Sequence, residues 1–121
     1  MSDRMIFTCT YGPDEAERAT LPFVGANIAA TAGRNAAVMC TIDGVWLGVD
    51  GRAEKVAAPG LPRLHDLMAE FTGNGGEIWL CGACTKPRGI GEEVLSPGVR
   101  IVGAAMVIEE VALGAKTVSL S

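Results

Sequence analysis

The chain has 121 residues, a length that fits one globular domain, and we predict a single domain over residues 1–121. Its formal net charge is −4 and it has no cluster of Lys and Arg, a balance that argues against nucleic-acid binding. The longest apolar run covers residues 101–108, far fewer than the ~20 residues that cross a bilayer, so we predict no membrane span.

Short apolar strands alternate with helices along the chain. The predicted elements are, in order, a strand over residues 4–11, a helix over 20–33, a strand over 35–42, a helix over 61–76, a strand over 77–81, a short helix over 87–95, a strand over 99–104, a helix over 105–115 and a strand over 117–121. Thr20 is placed to cap the first helix, Pro22 fits its first turn and Gly33 ends it.

This alternation predicts an α/β fold with a five-stranded parallel sheet covered by helices on both faces. Ligands of open parallel sheets bind outside the carboxyl ends of the strands. The loops expected at that edge cover residues 11–18, 43–51 and 81–89. We therefore expect the functional site where these three loops meet.

The third of these loops contains a CxxC pair, Cys81 and Cys84, at the end of an apolar strand. The following predicted helix start, together with Lys86 and Arg88, favours the thiolate form. Such a thiolate can exchange disulfides, bind metal or accept sulfane sulfur as a persulfide, and the alternative is that both cysteines only pack. On these surroundings we expect the Cys81 sulfur to be ionised and reachable at the rim of the site.

The other two cysteines, Cys9 and Cys40, lie near the ends of apolar strands, where cysteine acts as a small hydrophobe. We predict structural roles for both, although their position at the same sheet edge leaves either one as a resolving partner for Cys81. The opening MSDRMIF lacks the features of a secretory signal, so we predict a cytoplasmic protein with reduced cysteines.

Two of the chemical alternatives have little support. A structural zinc site needs two more ligands, whereas no second CxxC exists and the lone His65 is expected at the surface of a helix. A thioredoxin carries its dithiol after an earlier strand and ends in an antiparallel hairpin, unlike the order predicted here. We predict no cofactor and no metal.

The stretch IWLCGACTKPRGI resembles the cysteine loop of the DsrE/DsrF-like proteins, which include sulfur-relay subunits of the tRNA-thiolation pathway. YGPDEAERATLPFVGANIAATAG is similar to their first loop and helix, DGVWL to the turn after their second strand, and TVSLS to their last strand. The most specific element is a strand-ending cysteine followed by Arg-Gly, here Cys81 with Arg88 and Gly89.

The resemblance implies a three-layer α/β/α sandwich, flavodoxin-like in outline, that binds no flavin. It implies a sulfur carrier or sulfurtransferase with Cys81 as the persulfide acceptor. From its position before Gly89, Arg88 is our candidate for holding the thiolate or an anionic sulfur substrate. Cys84 would resolve the persulfide, form a redox-active disulfide with Cys81, or be incidental. Some relatives lack the carrier cysteine and act as structural subunits, so a non-catalytic, partner-binding subunit is the alternative.

The resemblance also implies partners. Members of the family assemble as trimers, hexamers or rings with related subunits, which fits an apolar share of 49%. Sulfur donor and acceptor proteins are the other partners implied.

Around the cysteines we predict a substrate pocket formed by Tyr11, Gly12, Asp43, Gly44, Trp46, Gly82, Lys86 and Gly89. Several of these residues have a simpler interpretation. Gly12, Asp43 and Gly44 are typical turn residues. Trp46 serves equally well as a pocket wall or as a contact between subunits.

Overall fold

A parallel five-stranded sheet forms the centre of the protein. In the computed structural model, which describes residues 1–120, the strands are β1 (Met5–Cys9), β2 (Ala36–Cys40), β3 (Glu77–Cys81), β4 (Val99–Val102) and β5 (Lys116–Val118). Their spatial order is β4-β3-β2-β1-β5, and every pairing is parallel. The predicted α/β fold with a five-stranded parallel sheet is confirmed.

The connections contain both α-helices and short 3₁₀ helices. The α-helices are α1 (Ala16–Thr31), α2 (Leu64–Gly73), α3 (Gly82–Thr85) and α4 (Ala104–Ala112), and the 3₁₀ helices cover Ile42–Gly48, Ala53–Lys55, Lys86–Arg88 and Glu92–Val94. Within residues 1–120, no helix has both the length and the apolar character that crossing a bilayer requires.

Strand side chains alternate between two cores of unequal size. The larger core packs α1 and α2 against one face of the sheet and includes Phe23 and Phe71, whose rings meet edge to face at 6.4 Å. The smaller core lies on the other face, where Met106 and Val107 of α4 pack against Trp79 and its neighbours. No residue of α4 is itself buried, so this helix contributes only partly buried side chains to its layer.

The first helix starts earlier than the sequence predicts. α1 begins at Ala16, so Thr20 lies inside the helix and its hydroxyl donates to the Ala16 carbonyl at 2.7 Å instead of capping the end. Pro22 is buried in the interior of the helix, not in its first turn. Packing of this helix against the sheet outweighs the local signals, and only the expected end near Gly33, with φ of 81°, is met.

The prediction of a short helix over residues 87–95 is wrong. The chain instead forms the single turn of α3 directly after β3, and then two separate 3₁₀ turns. Gly89 adopts a left-handed conformation with φ of 69°, and Gly91 is extended, so the helix cannot continue through either residue. The last strand, β5, ends at Val118. Ser121, the final residue of the strand predicted over residues 117–121, lies outside the described residues.

Candidate functional site

The loops after β1 and β2 touch at the carboxyl edge of the sheet. A Cβ atom on Gly12 would lie 2.7 Å from the Asp43 carbonyl oxygen, and one on Gly44 would clash with the Cys9 carbonyl oxygen. These two glycines therefore permit a close approach of backbones that larger residues would prevent. Their role as turn residues and their place at the predicted edge are both seen in the structure.

Arg88 connects the third loop to the second. Its Nε and Nη2 atoms donate to Asp43 Oδ1 at 3.3 and 3.1 Å, and its Nη1 atom donates to the Cys84 carbonyl at 3.1 Å. The Arg88 side chain is 25% exposed and that of Asp43 is 60% exposed, so the ion pair stands partly in solvent. Through these contacts the three loops form one continuous surface from Gly12 to the cysteine loop.

Cys81 is more deeply placed than the sequence predicts. Its side chain is 6% exposed and belongs to the smaller core, with Met39, Trp79 and Val102 as fellow members. The expectation of a reachable sulfur at the rim is therefore wrong for this conformation. The reason is the strand alternation, because the last residue of β3 points to the face that α4 covers.

Cys84 is the more accessible thiol of the pair. It lies in α3, is half-buried, and packs against both the larger and the smaller core. Cys81 occupies the N-cap position of the same helix, although its side chain makes no capping hydrogen bond. The two cysteines thus share one turn, and Arg88 donates a hydrogen bond to the Cys84 carbonyl.

The charges near this turn differ from the expectation. α3 spans four residues, too short to supply the helix-terminus charge that the sequence suggested. Lys86 is exposed, and the charge of Arg88 is shared with Asp43. Arg88 is therefore the one cation that the structure connects to the cysteine turn through a direct hydrogen bond, among residues 1–120.

The two aromatic residues of the predicted pocket each stack with an arginine. Arg18 lies 5.1 Å from the centre of the Tyr11 ring and donates to the Tyr11 hydroxyl at 3.3 Å. Arg52 lies 4.4 Å from the centre of the Trp46 ring, and Trp46 packs partly against the larger core. Trp46 is thus held between the core and a surface arginine.

A cavity of about 260 Å³ opens beside the first two loops. Its lining residues come from these loops and are Thr10, Tyr11, Gly12, Asp14, Glu15, Ile42 and Asp43.

Two glycines of the third loop have different explanations. Gly89 meets the need for a positive φ, whereas a Cβ on Gly82 would make only ordinary contacts at 3.5 Å.

Cys9 and Cys40 lie on the face opposite Cys81. They are register partners on β1 and β2, both are buried, and both belong to the larger core. Two causes hold the pKa of Cys40 well above its ordinary value: first the hydrogen bond to Cys9, and second the complete burial of the residue. Cys40 therefore stays a neutral thiol. The sheet separates this pair from Cys81, so the suggested resolving role for either residue is wrong in this conformation.

One residue of the site was missed from the sequence. Ile42 has a φ of 54°, although a β-branched residue is rarely found there. Nothing in the sequence signals this conformation, since positive φ is ordinarily marked by Gly or Asn. Among residues 1–120, no group of three or more His, Cys, Asp or Glu side chains is placed to hold a metal ion.

The chain matches the DsrE/DsrF-like family over residues 3–120. Together with the five-stranded parallel sheet, this match defines the class of protein: the chain belongs to the DsrE/DsrF-like family. Members of this family are generally linked to sulfur relay and are often oligomeric.

One relative by sequence and two solved structures are similar to this chain. The chain is 30% identical over 102 residues to the protein MJ0760 of Methanocaldococcus jannaschii, covering 84% of this chain but only 37% of that relative. The fold is similar to the YchN protein of E. coli, with a TM-score of 0.76, 19% identity and coverage of 99% and 100% of the two chains. It is also similar to MTH1491 of Methanobacterium thermoautotrophicum, with a TM-score of 0.74, 17% identity and coverage of 96% and 97%.

Proposed function

We propose that this protein is a sulfur carrier of the sulfurtransferase type that accepts sulfane sulfur on Cys81 as a persulfide. The observation that carries the proposal is the position of Cys81 in a family linked to sulfur relay. It ends β3 at the carboxyl edge of the sheet, and Cys84 and Arg88 follow within the next turns. We place this carrier in the cytoplasm, where its thiols stay reduced.

The transfer needs one thiolate and no cofactor. The Cys81 thiolate attacks the outer sulfur of a persulfide donor, forming a new S–S bond, while the S–S bond of the donor breaks and the donor leaves as a thiolate. The sulfur moves without net oxidation. Arg88 supports the negative charge from its position against the Cys84 carbonyl.

Cys84 gives the persulfide a second fate. Its half-buried thiol shares one helical turn with Cys81, so it can attack the inner sulfur of the Cys81 persulfide. That attack forms a Cys81–Cys84 disulfide and releases hydrosulfide. Replacing Cys84 by Ser would therefore lengthen the lifetime of the persulfide, and it also removes the redox disulfide as an alternative function.

The test is a sulfur-loading assay with a matched thiol control. The reduced protein is incubated with inorganic polysulfide or a small-molecule persulfide, and its intact mass is recorded. In a Cys84→Ser background, which lacks the resolving thiol, we expect the protein and its Cys40→Ala variant to gain one sulfur atom and its Cys81→Ser variant to gain none. A Cys84→Ser protein that gains no sulfur from any donor, or a Cys81→Ser variant of it that still gains sulfur, would contradict the proposal.

Helix α4 favours a second candidate, an oligomeric subunit that binds copies of itself. No residue of α4 is buried, and Ile108 is 70% exposed with Val111 exposed three residues later. Apolar side chains at this spacing form one stripe along the helix, a surface that a second copy would cover. Ile108→Glu should then lower the mass measured by light scattering after size exclusion, whereas Ile28→Glu on the opposite layer should leave it unchanged.

A further inference from the structure

The turn after β2 contains a strained residue. Ile42 has a φ of 54° and is the one non-glycine residue with a positive φ among residues 1–120. The Gly44 N–H donates to the Thr41 carbonyl at 2.9 Å, which places Ile42 at the first central position of a tight turn. A positive φ at that position favours Gly, because a β-branched side chain crowds its own backbone there.

The side chain of Ile42 does little to offset this strain. It is 52% exposed, so its burial adds little stability. Strain of this kind persists only where neighbouring contacts hold it, and it concentrates at clamps and switches. The holding contacts here are the Thr41 N–H donating to the Cys9 carbonyl at 3.0 Å and the Asp43 carbonyl against Gly12.

The next residue connects the strained turn to the cysteine loop. The Asp43 carboxylate accepts two hydrogen bonds from Arg88, which also donates to the Cys84 carbonyl. Because the Asp43 side chain is 60% exposed, water screens this ion pair and its net contribution is small. A strained turn joined to a weak ion pair can open without unfolding the domain.

We propose that the turn of residues 41–44 is a strained latch that holds the cysteine loop in place, with Cys84 packed against the core around Cys81, and releases it when Ile42 relaxes. Release changes the φ of Ile42 to a negative value, moves Asp43 away from Arg88 and frees residues 82–88, which begin directly after Cys81. The inference rests on the proposed function for its purpose, because a donor must reach the sulfur of a residue that is 6% exposed in the closed form.

The experiment measures access to Cys81 without any sulfur donor. In a Cys84→Ser background, the native protein is alkylated with iodoacetamide in low concentrations of urea, and modification of Cys81 and Cys40 is followed by peptide mass spectrometry. Local release predicts that Cys81 reacts faster than Cys40 and that its rate is insensitive to urea. The rate at the fully buried Cys40 should rise with urea, because it reports global unfolding.

Variants of the latch should change the Cys81 rate in opposite directions. Ile42→Gly relieves the strain of the closed turn, so we expect alkylation of Cys81 to slow about tenfold and Tm to rise by roughly 4 °C. Asp43→Asn weakens the ion pair and should speed alkylation about threefold. Ile42→Val keeps the β-branched strain and should match the background protein in both measurements.

Each contrary outcome is decisive. The latch is refuted if Cys81 and Cys40 react at the same rate at every urea concentration, or if Ile42→Gly leaves the Cys81 rate unchanged. A lower Tm in Ile42→Gly would show that Ile42 stabilises the turn and is not strained. A Cys84→Ser protein that takes up no sulfur but shows these alkylation changes would remove the proposed function and leave the latch in place.

Discussion

Two pairs of cysteines lie near the carboxyl edge of the same sheet, and their surroundings differ. Cys9 and Cys40 face each other across β1 and β2 within the larger core. Cys81 and Cys84 share one turn after β3, on the side where the covering helix α4 has no buried residue. The first pair is buried within the larger core, whereas the second includes a half-buried thiol and lies beside a helix with no buried residue.

Under the proposed function, burial alone does not separate the carrier cysteine from the cysteines of the larger core. Cys81 is nearly as buried as Cys9, at 6% against 1% exposure. What distinguishes Cys81 is the turn that follows it, which joins the surface through Cys84 and Arg88. A reactive thiol can be closed at rest if the segment covering it is held by weak contacts.

The largest expected effect on stability sharpens this comparison. Cys40→Ser places a hydroxyl in the larger core, and we expect it to lower the free energy of unfolding by about 2 kcal/mol. Cys84→Ser, at a half-buried position, should lower it by less than about 0.5 kcal/mol. Urea denaturation followed by circular dichroism gives both values, and equal losses at the two positions would break the distinction.

The next prediction separates the two roles assigned to Arg88. Arg88→Ala and Asp43→Asn break the same ion pair, but only the first removes the cation beside the cysteine turn. We expect sulfur loading to slow about tenfold in Arg88→Ala, because a charged hydrogen-bond donor is lost. Loading should quicken about threefold in Asp43→Asn, because the latch is weaker.

The rates come from intact-mass measurements over time at a fixed polysulfide concentration. The free energy of unfolding of both variants should lie within about 1 kcal/mol of the wild-type value, since the ion pair stands partly in solvent. Two variants that slow loading equally would show that the ion pair itself, and not the cation, supports the reaction.

Much of this architecture could be predicted from the sequence, because strong local patterns agree with the fold. β3 was predicted at its observed bounds, since an apolar run stands between Gly76 and Gly82. The meeting of the three loops follows from parallel strands ending at one edge. The predicted start of α1 and the helix over residues 87–95 failed where tertiary packing and the conformations of Gly89 and Gly91 decided the structure.

The finer geometry of the site was beyond such patterns. The direction of Cys81 depends on which face α4 covers, a property of the assembled sheet and not of the stretch around the cysteine. The positive φ of Ile42 opposes the preference of its residue type, and its neighbours Thr41 and Asp43 hold the turn through their contacts with Cys9 and Gly12. Residues that contradict their local preference become visible only in three dimensions.

The smallest expected effect concerns the opposite end of β3. Glu77 accepts from the Trp79 indole N–H at 3.0 Å and pairs with Arg4 and Arg100 at 3.1 and 3.0 Å. Burial acts to raise the pKa of Glu77, but the Trp79 hydrogen bond and the arginines outweigh it, so the pKa lies below the ordinary value of 4.5. This network connects the amino ends of β1, β3 and β4, and none of its members is a cysteine.

A lowered pKa in the folded state means that the unfolded chain binds the proton more tightly. The stability from Glu77 is therefore present above about pH 4.5 and is lost as the pH falls through the folded-state pKa. Glu77→Gln keeps an acceptor for Trp79 and removes the charge. On acidification to about pH 3, the free energy of unfolding should fall less in Glu77→Gln than in the wild type. The difference between the two falls should be no more than about 1 kcal/mol. Urea titrations at several pH values, with Glu92→Gln as the matched control, measure the difference. If the free energy of unfolding depended on pH identically in Glu77→Gln and the wild type, the arginines would hold this end of the sheet without the carboxylate.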